Sequence, residues 1–227
     1  MKDKFVGAYL KPHDNSLESY VGRANSNNLD IICEDIISKL DIKSNDRVLD
    51  VCCGNGILTK RISKYCNEIH GVDFSEILIK MAKERSSGQN IHYYTEDALN
   101  IDKMFPKKFF DKIYCYFSFQ FDHSKGKTLI TKLFPLLREN GMLLIGDIPD
   151  KTRKFNFYST PYRKTKLLFF LILNKLFGTK GYLESSWWYS PDEIRKLCKE
   201  ININCEVLYQ NENLPHAHYR FDVLIQK

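Results

Sequence analysis

The sequence predicts an α/β fold with a seven-stranded, mostly parallel sheet and helices on both faces, and three observations support this. From residue 47 onward, short apolar runs alternate with segments of helical period, as in consecutive βαβ units. A glycine-containing turn at 52–56 follows the first strand, as in Rossmann-like folds. The last two apolar runs, 204–209 and 219–226, fit an antiparallel hairpin that closes the sheet.

The individual elements follow from hydrophobic spacing and from start and stop signals. The five runs before the hairpin predict strands at 47–51, 68–72, 91–94, 110–116 and 142–146. Helical spacing predicts an amphipathic helix that includes Leu29, Ile32, Cys33, Ile36 and Ile37, and others containing Ile57, Leu58, Ile62 and Tyr65, and Ile77, Leu78, Met81 and Ala82. A further helix is predicted at 125–138, ending in a left-handed turn at Gly141. Ser75 and Ser190 are predicted helix caps, Ser190 with Pro191 and Glu193 in a capping box.

The length of 227 residues favours one domain, 1–227, with two additions to the sheet. Residues 1–44 form an N-terminal helical cap, and an insertion of about 151–187, helical at 165–177, forms a lid after the fifth strand. Between residues 151 and 180 there are eight lysines and arginines and no acidic residue, so this segment carries +8 and the remainder −2. Such a stretch faces an acidic substrate, an anionic membrane, nucleic acid or simply solvent.

Several classes of protein are disfavoured by composition. The seven cysteines are irregularly spaced and the N-terminus has no apolar signal segment, which predicts free thiols and a cytoplasmic location. No cysteine pair has zinc-finger spacing, so no metal is expected. The longest apolar run, 167–173, is too short to cross a bilayer.

The turn after the first strand predicts a nucleotide-like ligand. Its glycines let the backbone approach a ligand closely, and the following helix offers free N–H donors. A dinucleotide fingerprint would require glycine at the positions of Cys52 and Ile57, so a nicotinamide dehydrogenase is disfavoured.

The segment VLDVCCGNG resembles the first motif of the class I S-adenosylmethionine-dependent methyltransferases, usually written VLDxGCGxG. Cys52 departs from the usual glycine, but a Cys-Cys pair is also familiar in the quinone-biosynthesis members of the family, which suggests that glycine is dispensable there. The resemblance implies that the cofactor contacts Asp50, Cys52, Cys53, Gly54, Asn55 and Gly56.

Further motifs follow in the family's order. The segment IHGVDFSEILIKMAKE is similar to the second strand and helix, which implies that Asp73 binds the ribose hydroxyls, with Phe74 and Leu78 beside it. YTEDALN resembles the third motif, in which Asp97 and the Ala98 N–H would meet the adenine. FDKIYCYFSFQF looks like the fourth strand, whose end would line the methionine portion with Tyr116, Phe117 and Ser118. LLRENGMLLIGDIP and YSPDEIRKL extend the likeness over about 45–149 and 188–226.

Methyl transfer from a sulfonium is an in-line displacement that needs positioning and exclusion of water more than a dedicated base. Where the acceptor must lose a proton, His123 is the candidate base, since it follows the fourth strand and Asp122 can orient it. The alternative is a surface histidine that caps the next helix. His216 and His218 lack the partners of a zinc site.

The acceptor is expected to be a small polar or anionic molecule, methylated on oxygen, such as a sugar-derived or other biosynthetic precursor. Arginines pair with carboxylate or phosphate and aromatic rings stack on rings, which predicts substrate contacts at Tyr20, Asp147, Arg153, Tyr162, Arg163, Trp188, His216 and His218. Alternatives are a quinone or lipid acceptor with peripheral membrane contact through 164–177, an N-methyltransferase, and a non-catalytic cofactor-binding regulator. A nucleic-acid substrate is disfavoured, because the basic residues occupy one short segment.

Overall fold

The computed structural model describes residues 26–119, 126–158, 188–214 and 216–227, together with 162, 164, 165, 168, 169 and 172. Its core is a seven-stranded sheet in the order β3-β2-β1-β4-β5-β7-β6. The first five strands are parallel, and β7 pairs antiparallel with both β5 and β6. The predicted fold class is thereby confirmed. The strands are β1 Arg47–Val51, β2 Glu68–Asp73, β3 Ile91–Thr95, β4 Phe110–Tyr116, β5 Leu137–Pro149, β6 Cys205–Tyr209 and β7 Arg220–Gln226.

Strand β1 lies between β2 and β4, so the strand order reverses on either side of it. The carboxyl ends of these parallel strands meet at one edge of the sheet. In open α/β sheets the crevice at such a reversal is where ligands bind. The topology therefore places the turn 52–56 and the ends of β2 and β4 at one site.

Helices cover both faces of the sheet. Neighbouring residues of a strand point to opposite faces, and in these strands both sets of side chains are apolar and need to be covered. Val48 of β1 belongs to one apolar cluster with residues of the first three helices, whereas Leu49 belongs to a second cluster with residues of the fourth and the last helix. The helices are α1 Ser26–Leu40, α2 Ile57–Ile62, α3 Glu76–Arg85, α4 Gly126–Leu133, α5 Lys154–Phe157 and α6 Pro191–Glu200.

Both predicted helix caps are confirmed. The Ser75 hydroxyl accepts the Leu78 N–H at 3.3 Å at the start of α3. At the start of α6, the Ser190 hydroxyl accepts the Glu193 N–H at 3.1 Å, and the Glu193 carboxylate accepts the Ser190 N–H at 2.7 Å. The side chains thus satisfy backbone donors that a helix start leaves unpaired.

The predicted helix at 125–138 is too long. Helix α4 ends at Leu133, a 3-10 turn follows, and β5 begins at Leu137, which pairs with Phe110. Pro135 in that turn disfavours continuation of the helix. The left-handed residue is Asn140, with φ 64°, and not Gly141. Glycine is needed at 141 for a different reason, because a Cβ there would lie 3.0 Å from the Asp111 carbonyl oxygen.

Two predicted apolar helix positions prove to be exposed. Tyr65 lies in a 3-10 turn after α2 and is 52% exposed, and Ile77 on α3 is also 52% exposed. The buried residues of α3 are Ile79 and Ala82. For α3, the spacing predicted the helix and the burial of Ala82 correctly, but it was wrong about Ile77 and missed Ile79.

The two additions to the sheet are described only in part. The N-terminal cap is represented by α1, whose Leu29, Ile32, Cys33 and Ile36 are buried. Of the predicted lid, residues 151–158 form a 3-10 turn and α5, and the described residues from 162 to 172 are helical. Within the described residues, no helix has the length and apolarity needed to cross a bilayer. The single-domain organisation stays a prediction.

Candidate functional site

The turn after β1 contains three residues in the left-handed backbone region. Their φ angles are 63° at Cys52, 56° at Gly54 and 74° at Gly56. A non-glycine residue in this region is strained, usually by about 1–2 kcal/mol. Cys52 therefore holds a backbone conformation that glycine would adopt without strain.

The two glycines of this turn have different surroundings. A Cβ on Gly56 would clash with the ring of Tyr93, whose hydroxyl donates to the carbonyl oxygens of Gly56 at 3.3 Å and Ser86 at 3.0 Å. A Cβ on Gly54 would meet no atom within 4 Å. Gly56 is thus required by packing, while Gly54 borders open space at the edge of the sheet.

Asp73 joins the end of β2 to this turn. Its Oδ2 accepts the Gly54 N–H at 3.0 Å and its Oδ1 accepts the Ser75 N–H at 2.9 Å. The side chain is 6% exposed, and this burial raises the pKa of its carboxyl group above the usual value although both N–H bonds act against the shift. Each carboxylate oxygen has a further lone pair, so Asp73 can also accept hydrogen bonds from a ligand.

Asp50 lies deeper, at the base of the turn. Its Oδ2 accepts the Thr59 hydroxyl at 2.6 Å, which links β1 to α2. Burial raises the pKa of the Asp50 carboxyl to about 7. Among the described residues, no ion pair joins a basic side chain to Asp50 or Asp73. The Asp50 side chain supports the turn, and a direct contact between Asp50 and a cofactor stays a prediction.

The third predicted motif lies beside the second. Strand β3 pairs with β2, and just after its end the Glu96 N–H donates to the Asp73 carbonyl oxygen at 3.0 Å. Asp97 is the next residue along the chain. Asp97 caps a 3-10 helix, Ala98–Lys103, by accepting the Leu99 N–H at 3.1 Å. The structure therefore brings Asp73, Asp97 and Ala98 to one edge.

Apolar side chains border these two aspartates. Phe74 is 38% exposed and Ile77 is 52% exposed. Phe74 was predicted as a cofactor contact, whereas sequence reasoning counted Ile77 as core. Leu78 is half-buried beside them. Its exposure on the first turn of α3, four positions after Asp73, makes Ile77 a candidate contact for a flat ring.

Strand β4 ends in a strained bend. Phe117 has φ 66°, and the Ser118 hydroxyl donates to the Tyr116 carbonyl oxygen at 3.3 Å. Tyr116 is only 3% exposed, so its side chain belongs to the protein interior. A contact between a ligand and the main chain of 116–118 stays a prediction.

A buried polar network lies at the end of β5 and the start of β7. Arg220 donates to Asp147 Oδ2 at 2.6 Å, and Asp222 Oδ1 accepts the Asp147 N–H at 2.8 Å. Lys39 of α1 donates to Asp222 Oδ2 at 2.8 Å. Gln210 donates to Asp222 Oδ1 at 3.0 Å and to the Tyr116 hydroxyl at 3.2 Å.

Sequence reasoning identified Asp147 in this network but missed its partners. Asp147 is 4% exposed and Asp222 is fully buried. Strand alternation puts Asp222 on the face of β7 opposite to Phe221, so it predicts neither the burial of Asp222 nor the cation that neutralises it, because Lys39 is 183 positions away along the chain. The substrate contact proposed for Asp147 stays a prediction.

A group of rings surrounds Tyr219, which sequence reasoning also missed. The ring centroids of His218, Phe157, His216 and Trp188 lie 4.9, 5.3, 5.4 and 5.8 Å from that of Tyr219. The structure thus brings together three of the predicted substrate residues, Trp188, His216 and His218. No set of three His, Cys, Asp or Glu side chains within the described residues is arranged to hold a metal ion.

The other predicted substrate residues are dispersed or undescribed. The Arg153 guanidinium lies 4.1 Å from the ring centroid of Tyr209, and Tyr162 is 75% exposed. Tyr20, His123 and Arg163 lie outside the described residues. The candidate base therefore stays a prediction.

The seven cysteines, all described, are free thiols. A surface groove of about 500 Å³ lies outside the site built from the motifs, and three lysines contribute to it. None of its residues belongs to the turn, to Asp73 or to the bend after β4. Its lining is Asp102, Lys107, Lys127, Thr128, Thr131, Lys132, Pro135 and Leu136.

The chain is similar to known methyltransferases, and the matched residues include the turn after β1, Asp73 and Asp97. Residues 48–141 match the family described as "Methyltransferase domain". Malonyl-[acyl-carrier protein] O-methyltransferase of Bacillus anthracis is 26% identical over 72% of this chain and 58% of its own length. Demethylmenaquinone methyltransferase of Geobacillus kaustophilus is 24% identical over 68% of this chain and 66% of its own length. The chain thus spans less than two thirds of either relative.

Among solved structures, magnesium protoporphyrin IX methyltransferase from Synechocystis, crystallised with bound SAH, has the same fold. The TM-score is 0.64 at 14% sequence identity, and the alignment covers 100% of this chain and 94% of that chain. At this identity the likeness concerns the fold alone.

Proposed function

We propose that the chain is a class I S-adenosylmethionine-dependent methyltransferase that transfers the methyl group of this cofactor to a small molecule, and the match of residues 48–141 to the methyltransferase domain family supports this. The observation that carries the proposal is the pairing of Asp73 with the left-handed turn. Asp73 holds the Gly54 N–H, and Gly54 borders open space. A carboxylate and a glycine backbone face one crevice, which suits a ribose between them.

The chain's residues fit the cofactor in three places. Asp73 accepts the ribose hydroxyls, and charge-assisted bonds of this kind are the stronger ones. Asp97 and the Ala98 N–H meet the adenine, with Phe74 and Ile77 against the ring. The main chain of Tyr116–Ser118 lines the methionine portion. The buried Asp73 carboxylate adds negative potential where the positively charged sulfonium binds.

The bound cofactor supplies an electrophilic methyl group on sulfur. The protein's contribution is to hold the acceptor in line with that bond and to exclude water, which lowers the barrier through orientation. For a hydroxyl or protonated amine acceptor, His123 takes the proton, with Asp122 orienting it. An acceptor that is already an oxyanion needs no base.

We propose a small polar or anionic acceptor, methylated on oxygen. The ring group around Tyr219, with Trp188, His216 and His218, supports an acceptor that stacks and accepts or donates hydrogen bonds. Arg153 and the net charge of +8 on 151–180 support a negative charge on it. The free cysteines are in keeping with a reaction in the reducing cytoplasm.

A second candidate is a quinone or lipid acceptor. It is supported by the demethylmenaquinone methyltransferase relative and by exposed apolar side chains in the insertion, including Leu168 and Phe169. An acceptor amine is the third possibility. All three acceptor classes use the same cofactor site.

The cofactor site is tested by isothermal titration calorimetry with S-adenosylmethionine on Asp73→Ala. Loss of the ribose contacts should weaken binding about 100-fold. The matched control is Asp102→Ala, an exposed aspartate paired with Lys132, which should bind like the natural protein. Thermal melting of both variants separates unfolding from loss of affinity. Near-unchanged affinity of a folded Asp73→Ala would refute the ribose contact.

The transfer reaction is tested by incubating the protein with methyl-labelled cofactor and fractions of a cell extract. Label should enter a small anionic compound that is stable to mild acid, and the label should be lost with Asp73→Ala. Label in a lipid extract would favour the second candidate. Tight cofactor binding with no labelled product in any fraction would favour a non-catalytic regulator.

A further inference from the structure

Exposed apolar side chains are concentrated in one short part of the molecule. Nine large apolar side chains among the described residues are strongly exposed, and five of them lie between residues 155 and 172. Their exposed fractions are 79% for Phe155, 75% for Tyr162, 60% for Leu168, 62% for Phe169 and 47% for Ile172. Exposed apolar side chains that are concentrated in one segment often mark a binding surface.

Four of the described residues share one helix face. Thr165, Leu168, Phe169 and Ile172 are all helical and follow the spacing i, i+3, i+4 and i+7. Residues with this spacing lie on the same side of a helix. The Thr165 hydroxyl donates to the Tyr162 carbonyl oxygen at 2.9 Å, one turn earlier. We call these four residues the 165–172 face, and every one of them is exposed.

The charged residues in the sequence on either side of this face are all basic. Residues 151–180 contain eight lysines and arginines and no acidic residue, and Lys164 is exposed immediately before the face. A helix with an apolar face and basic flanks binds in the plane of a membrane interface. Anionic headgroups attract such basic residues, and the acyl region accepts the apolar ones.

From this combination we infer that the 165–172 face binds an anionic lipid surface. A second copy of the chain is disfavoured as the occupant, because two 151–180 segments, each of charge +8, repel each other. Nucleic acid is disfavoured, because Leu168 and Ile172 are aliphatic and offer no ring for base stacking. The inference does not rest on the proposed methyl transfer, since lipid binding is measured without turnover.

The test is co-sedimentation of the full chain with vesicles. One set contains phosphatidylcholine alone. The other contains phosphatidylcholine with about 30% phosphatidylglycerol, an anionic lipid that attracts basic residues. The protein should pellet with the anionic set at low salt and dissociate as salt rises, because screening weakens the attraction of the basic residues. It should stay in solution with phosphatidylcholine alone.

Two pairs of variants assign the binding to this face. Phe169→Ser should reduce partitioning about tenfold, because its ring no longer enters the acyl region. Its control is Tyr65→Ser, which removes an exposed ring elsewhere and should bind normally. Lys164→Gln should reduce partitioning about fivefold, and its control Lys83→Gln, an exposed lysine on α3, should not.

Three results would overturn the inference. The first is no co-sedimentation of the natural protein with anionic vesicles at low salt. The second is equal loss of binding in the controls Tyr65→Ser and Lys83→Gln, which would indicate nonspecific adsorption. The third is a lipid-free dimer in analytical ultracentrifugation that Phe169→Ser dissociates, which would assign the face to a second copy.

Discussion

At the end of β2, Asp73 accepts two backbone N–H groups and has no basic partner among the described residues, whereas at the end of β5 Asp147 is paired with Arg220 at 2.6 Å. Nearby, Asp50 is likewise without an ion pair, while Asp222 is paired with Lys39 at 2.8 Å. Both pairs of aspartates are nearly fully buried. Burial therefore does not distinguish them, but compensation of charge does.

Both aspartates end parallel strands at the same edge of the sheet, so the difference separates a proposed binding position, at Asp73, from a structural ion pair, at Asp147. A buried carboxylate without a cation raises the free energy of the folded protein, and a positively charged ligand or ribose hydroxyls recover part of that cost. A carboxylate already paired with arginine or lysine gains little from a ligand. We therefore expect changes at Asp147 and Arg220 to act on stability, and changes near Asp73 to act on cofactor binding.

The largest effect is expected for Arg220→Met, which leaves Asp147 buried without its cation. Breaking a buried pair by removing one partner lowers the free energy of unfolding by about 3–5 kcal/mol. The control is Arg195→Met, whose pair with Asp192 is exposed and contributes less than about 1 kcal/mol. Urea unfolding measures both. Equal small losses would mean that the β5–β7 pair is not structural.

The two glycines of the turn should separate packing from binding. Gly56→Ala combines a positive φ with a clash against Tyr93 and should lower the free energy of unfolding by about 3 kcal/mol. Gly54→Ala has room for its methyl group and should lose only about 1 kcal/mol. That methyl projects into the crevice, so calorimetry should show cofactor affinity reduced about tenfold. Unchanged affinity in Gly54→Ala would place the ligand elsewhere.

The smallest effect concerns the pH dependence that Asp50 confers. Its pKa is about 7 in the folded chain against 3.8 for the free group, so the folded state retains a proton that the unfolded state releases. Its contribution to stability therefore falls as pH rises from about 4 to 7 and is level above 7. Asn at this position carries no charge and does not titrate.

The test compares Asp50→Asn with the natural protein by urea unfolding at pH 5 and pH 8. From pH 5 to pH 8, the free energy of unfolding of the variant should rise by about 2 kcal/mol relative to that of the natural protein. The control Asp102→Asn should show no such change, because the pKa of Asp102 lies below its usual value and the group stays ionised throughout this range. An Asp50→Asn difference independent of pH would mean that Asp50 is ionised at pH 5.

Local pattern was sufficient to predict most strands of the sheet and the residues that meet at the turn after β1. The strands β1–β4, the caps at Ser75 and Ser190, and the fold class follow from periodicity and capping residues within a few positions of each other. The prediction for α4 was wrong, because its helical spacing runs on through Pro135 although Leu137 already pairs with Phe110. Strand pairing outweighed the local helical signal there.

Short-range sequence was sufficient to predict the fold, the likeness to the methyltransferase domain and the positions of Gly54, Gly56, Asp73 and Asp97, since a strand, a turn and a helix start are specified by neighbouring residues. Tertiary structure alone decided that Cys52 takes a left-handed conformation, that Ile77 is exposed beside Asp73, and that Arg220 and Lys39 neutralise Asp147 and Asp222. These properties depend on which side chains meet across the sheet. Such meetings join residues up to 183 positions apart, and no local pattern encodes them.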